Sequence, residues 1–169
     1  MKNIKIILLL LVIAGVYSCE TYKDPAIEYS PVYPLSGQWY IQVYDAVPDT
    51  LLSKSYFTMY SYNVSSDVVD SMWLFLDSVK VAPPCGKFRA KVACSVPNKS
   101  FSVTKSANNL YSNSFIGLTA GSVVLNGGKT FGGTVADVVS LVLTTDKKTG
   151  KTFKIKGVRV SGWPEDIPH

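Results

Sequence analysis

Hydrophobic and polar residues alternate along most of this chain, and no stretch beyond the N-terminal apolar run repeats at a helical spacing. Trp39, Ile41 and Val43 alternate with Gln38, Tyr40 and Gln42, which predicts a strand with one buried face. Residues 56–62 alternate likewise, and 72–76 form an apolar run of strand length. Phe88, Ala90, Val92 and Cys94 alternate with Lys87, Arg89 and Lys91, an apolar face backed by a basic one. Pro97-Asn98-Lys99 turns that strand into Phe101 and Val103. Residues 122–125 make another strand, which Asn126-Gly127-Gly128 is expected to close as a turn. Residues 137–145 lead through Asp146-Lys147-Lys148-Thr149-Gly150, a hairpin loop with glycine where positive φ is wanted. The last strand runs from Thr152 to about Gly162, which makes eight strands in hairpin-like succession. One helical turn is expected near 66–71.

Eight antiparallel strands can close into a barrel or stack as a sandwich. Closure removes the unpaired edges that invite aggregation, so the pattern favours an all-β, eight-stranded, up-and-down barrel. A barrel of this size is just wide enough to be filled by side chains or to hold one small ligand. The expected inward phase collects Trp39, Ile41, Val43, Phe57, Met59, Trp73, Phe75, Phe88, Phe101, Leu141, Leu143, Phe153 and Ile155. These are the candidate ligand contacts, and the same alternation would serve a packed core.

The N-terminus carries an address. Lys2 and Lys5 precede an apolar run over 6–16, then Tyr17-Ser18-Cys19, the plan of an export leader over 1–18. The run is about half the ~20 residues a membrane-spanning helix needs. A cysteine directly after Ser18 is where acyl chains are attached in bacterial lipoproteins, although Tyr17 departs from the stricter motif. One chain binds a membrane marginally and two or more bind it durably, so Cys19 implies anchoring at the outer membrane, with the cell surface as the expected face. Pro25, Pro31 and Pro34 space a segment poor in apolar residues, expected to be a flexible tether over 19–35 before a barrel domain at 36–166. Residues 167–169 are expected to be disordered.

Composition refines this picture. The chain is 47% hydrophobic and 12% aromatic, with ten tyrosines, which is globular and leans towards β structure. Residues 20–78 hold two lysines against eight acids, and 79–169 hold thirteen bases against four acids. Because those bases alternate with apolar residues, they read as a solvated outer face and not as a nucleic-acid surface. Cys85 and Cys94 flank one predicted strand, whose extended length of nearly 30 Å keeps their thiols apart. They are expected to be free and mostly buried.

Ser36-Gly37-Gln38-Trp39 opens the first strand, and Arg159 lies on the apolar phase of the last, with Phe153, Ile155 and Gly157. First and last strands are neighbours in a closed barrel, so the guanidinium is expected over the Trp39 ring as a cation–π pair, unless a bulge at Gly157 resets the phase. This pairing resembles the lipocalin and calycin signature. Together with Met72-Trp73-Leu74-Phe75-Leu76-Asp77, Phe88-Arg89-Ala90-Lys91-Val92, Asp137-Val138-Val139-Ser140-Leu141 and the closing segment 157–166, it resembles the Bacteroidetes lipoprotein family labelled "lipid-binding putative hydrolase". Val160 and Trp163 stand where that family suggests a basic residue and phenylalanine. The resemblance implies a lipocalin-like barrel with an apolar or lipid-like ligand.

Catalytic groups are sparse. The single histidine is His169, the last residue, and there is no Gly-x-Ser-x-Gly or His-Glu-x-x-His motif. Cys85 stands near Lys87, which would lower its pKa if the thiol were exposed. Glu165 and Asp166 read as a solvated terminus, and Asp77 and Asp137 as turn caps. No catalytic residue, metal or cofactor is expected. Three roles follow: a lipid-anchored binder of an apolar small molecule or lipid, an accessory subunit of a surface uptake complex with a protein partner in the envelope, or an ester hydrolase.

Overall fold

The computed structural model describes residues 26–78 and 81–168, with backbone alone for 104–108. The leader, Cys19 and His169 therefore lie outside the described residues. Eight strands follow one another around a closed barrel: β1 (Gly37–Asp45), β2 (Phe57–Asn63), β3 (Ser71–Asp77), β4 (Phe88–Ser95), β5 (Ser100–Asn109), β6 (Ser114–Lys129), β7 (Val135–Thr145) and β8 (Thr152–Arg159). All neighbouring pairs are antiparallel. β1 closes the wall against β8 by pairing Trp39 with Arg159, Ile41 with Gly157 and Val43 with Ile155, which excludes the sandwich. That register runs unbroken through Gly157, so no bulge intervenes. Gly150 takes φ 77 as its hairpin requires.

Two inward assignments need correction. Trp73 and Phe75 point out of the barrel, and Met72, Leu74 and Leu76 point in. An uninterrupted apolar run does not state its own phase; register does. Directly opposed residues share a face, and Leu76 stands opposite both Met59 of β2 and Phe88 of β4. Those neighbours alternate cleanly, so they draw the even-numbered residues of β3 inward.

The Asn126-Gly127-Gly128 signal does not end a strand. β6 runs on to Lys129, with a register break between Val124 and Gly128, and the reversal comes at residues 130–134. Asn126 takes the left-handed φ of 53 that a hairpin would use, but spends it on a bulge, where its N–H donates to Asp137 Oδ1 at 2.9 Å. The glycines are needed for close approach. A Cβ on Gly127 would stand 2.8 Å from Val138 Cγ2, and one on Gly128 would stand 2.6 Å from Val138 Cγ1.

Two smaller expectations also change. Residues 66–70 form turns, with Asp67 at φ 47, before Ser71 opens β3, and hold no helix; the described helical turns are 3-10 pieces at Asp146–Lys148 and Pro164–Asp166. The expected tether ends early, because Val32 and Leu35 are buried in the core. Two turns, Ser30 to Tyr33 and Val32 to Leu35, swing this pair of apolar side chains into the barrel end beside Trp39.

Candidate functional site

Around its described central residues the barrel interior is tightly packed. Trp39, Ile41, Val43, Met59, Leu141, Leu143 and Ile155 have no accessible surface at all, so a water-sized sphere finds no place beside them. Phe57, Phe88, Phe101 and Phe153, at 1–3% exposure, are the other residues expected inward that do face the core. Met72, Leu74, Leu76, Ile116 and Leu118 are buried beside them. Eleven of the thirteen residues expected inward, all but Trp73 and Phe75, thus belong to a packed core.

One end of this core is sealed by the expected tryptophan–arginine pair. The Arg159 guanidinium carbon lies 4.3 Å from the Trp39 ring centre. Its Nε donates to Asp137 Oδ2 at 2.8 Å, and its terminal nitrogens donate to the Pro34 and Ser36 carbonyls. Trp39 Nε1 donates to Ser61 Oγ at 2.9 Å, and that hydroxyl donates to the Leu35 carbonyl at 2.6 Å. Asp137 therefore does more than cap a turn: it holds the bulge with one oxygen and the arginine with the other.

Concave surface occurs instead on the outside of the wall. The bulge bends the β6–β7 hairpin so that Phe131, at its tip, packs edge-on against Tyr40 of β1 (6.2 Å between ring centres) and Tyr56 (4.8 Å). Beneath this roof lies a groove of about 550 Å3, within the usual range of small-molecule sites. Its floor is the outer face of β7, β8 and β1, including Val138, Val158, Tyr40 and Tyr44, and its cations are Lys129, Lys154 and Lys156. Lys154 and Lys156 share Asp49 at 3.3 and 3.0 Å, and Lys156 also lies 4.5 Å from the Tyr44 ring centre. The Lys156 ammonium holds the Asp49 carboxyl below its usual range, and Asp49 in turn raises Lys156.

The roof is pinned from the C-terminal end. Asp166 is buried at 2% exposure, which overturns the expectation of a solvated Glu165-Asp166 pair. Its Oδ1 accepts from Gly132 N at 2.8 Å and its Oδ2 from the Ser161 hydroxyl, so the residue after Phe131 is tied to the last turn. The Ser161 and Thr130 hydroxyls hold its carboxyl below the ordinary range. Phe131 went unremarked in the sequence; an aromatic residue between threonine and two glycines at a hairpin tip was the available signal. Alternation with apolar residues shows only that these lysines face outward, not that a groove lies beside them.

Elsewhere on the wall, Tyr60, Phe75 and Tyr111 stack in a row, with ring centres 5.6 and 5.5 Å apart. Arg89 lies 5.2 Å from the Trp73 ring centre and 6.0 Å from that of Tyr62. Asp77 binds Lys87 at 2.7 Å and accepts from the Tyr111 hydroxyl at 3.0 Å, and Lys87 lowers its pKa. Among the described residues, Cys85 and Cys94 are both free. Burial pushes the Cys85 thiol up to about 12, the reverse of activation, while Cys94 is half-buried and also raised by desolvation.

A family model described as "Lipid-binding putative hydrolase" matches residues 24–164. The chain belongs to this family. Membership and the closed barrel together support lipid binding in general. No curated protein matches the chain. A crystal structure from Bacteroides ovatus, described as a structural-genomics protein of unknown function, is similar over 80% of this chain and 44% of its own, at 12% identity and a TM-score of 0.46. So slight a likeness carries no inference. For the lipid-binding family, the groove under Phe131 offers this member an apolar-lined surface of about 550 Å3, and Cys85, the thiol nearest a cation in sequence, is not activated.

Proposed function

We propose that this protein is a lipid-anchored envelope protein that binds a small apolar or lipid-like ligand in the groove outside its barrel. One contrast supports the site: the interior admits no water-sized sphere beside its central residues, whereas the groove offers about 550 Å3 beneath Phe131. The N-terminal pattern supports the anchor, with acyl chains on Cys19 at the outer membrane and the barrel towards the cell surface. Native mass spectrometry of the full chain with its co-extracted lipids tests the binding. A lipid-sized added mass is expected in the wild type and is expected to fall about tenfold in the Tyr56→Ala/Phe131→Ala variant. An added mass that survives both substitutions would remove the groove from consideration. Incorporation of an alkyne-tagged fatty acid that persists in Cys19→Ser would refute the anchor.

The stacked row of Tyr60, Phe75 and Tyr111 supports a second reading, as an accessory subunit docking a protein partner in the envelope. Cross-linking in intact cells tests it, and a pattern unchanged by Phe75→Asp would sink it. Hydrolysis, the third role, is tested by an esterase assay of the full chain against Cys85→Ala and deletion of His169.

A further inference from the structure

We infer that the ligand of the groove is a single-chain amphiphile with one anionic head group, a carboxylate or phosphate, held head-first at the lysines with its chain under Phe131. This rests on the groove reading above and deepens it. The floor is amphipathic along its length because of strand register. Lys154, Lys156 and Val158 follow one another along the outer face of β8 at about 7 Å per step. Lys156 stands beside Ser140 and Gln42, a polar cross-strand row; Val158 stands beside Val138 and Tyr40, an apolar one. The polar-to-apolar change therefore occurs within one step, across three strands at once.

Charge supplies the second argument. Lys154 and Lys156, at the polar end, have one carboxylate between them, Asp49. Two cations facing one anion leave the polar end of the groove positive, which favours an anionic head and disfavours a cationic one. At the other end, Phe131, Tyr56 and Val158 offer the apolar enclosure that an alkyl chain needs. The bulge and the Asp166 tie hold that roof in place before any ligand arrives. Such preorganisation lowers the ordering cost of binding.

The test is calorimetric titration of the full chain with dodecanoate and dodecyltrimethylammonium below their micelle concentrations, dodecanol below its solubility limit, and inorganic phosphate, with chemical shifts of backbone and methyl groups mapping the site. Dodecanoate is expected to bind about tenfold more tightly than dodecanol, and the ammonium more weakly than either. Lys154→Gln/Lys156→Gln is expected to abolish the preference for the acid while leaving dodecanol binding in place. Phe131→Ala is expected to weaken acid and alcohol by the same factor. Equal affinity for acid and alcohol, tighter binding of the ammonium, or inorganic phosphate binding as tightly as dodecanoate would overturn the head-group inference while leaving an apolar groove standing. No binding by any amphiphile, or shifts confined to the interior methyls, would overturn the groove itself. Unchanged melting temperatures of these surface variants exclude unfolding as the cause.

Discussion

Replacing Arg159 with alanine tests the seal of the barrel at its most connected residue. The substitution removes a guanidinium 4.3 Å from the Trp39 ring centre, worth about 0.5–2 kcal/mol. It also removes the 2.8 Å bond to Asp137 and the donors to the Pro34 and Ser36 carbonyls; a hydrogen bond to a charged group is worth about 1.5–3 kcal/mol. Asp137 retains 17% side-chain exposure, so water recovers part of what it loses. The expected cost is about 2–4 kcal/mol, against under about 0.5 kcal/mol for Lys156→Ala on the opposite face of the same strand. In urea titrations, with m of about 2 kcal/mol/M, Arg159→Ala should lower the midpoint by about 1–2 M and Lys156→Ala by about 0.25 M or less. Arg159→Lys should fall between, because it keeps the charge and loses the planar fork. A double-mutant cycle with Asp137→Asn separates the ion pair from the stacking on Trp39. Equal midpoints for the Arg159 and Lys156 variants would refute the account of a load shared between ring, carboxylate and carbonyls.

Further expectations follow from the corrected phase and the ties to the groove. Leu74→Asp should prevent folding whereas Phe75→Asp should leave a folded barrel, read by near-ultraviolet circular dichroism; the opposite outcome would restore the phase expected from sequence. Asp166→Ala should release the 130–134 turn, seen as faster exchange of the Gly132 amide with β1 amides unchanged. Because the folded Asp166 pKa is lowered from 3.8, its contribution is present above about pH 4 and lost as pH falls through the lower folded value; Gly132 protection should therefore be flat at neutral pH and drop only in acid. Thiol labelling at pH 8 should modify Cys94 in the folded protein and Cys85 only on unfolding, since Cys85 is buried with a thiol near 12; equal rates would contradict that burial.

Much of this molecule is legible in the order of its residues, because alternation and turn chemistry act locally. Trp39-Ile41-Val43 and Phe88-Ala90-Val92 declare their buried faces without reference to any other strand, so eight strands and their hairpin succession could be read directly. The Trp39–Arg159 pair was also within reach, because a closed barrel must bring its first and last strands together. Tertiary structure decided what local pattern leaves degenerate. The apolar run of β3 fits either phase, and only its neighbours turn Trp73 and Phe75 outward. Asn126-Gly127-Gly128 permits a turn or a bulge with the same dihedral angles, and packing against Val138 selects the bulge. The groove follows from that selection. Its floor draws on β1, β7 and β8, and its roof is tied by Gly132 to Asp166, thirty-four residues later, an arrangement joined only because a bent hairpin leans across a closed wall. Hydrophobic alternation is a property of each strand, whereas concavity is a property of several strands together, and only the folded chain has it.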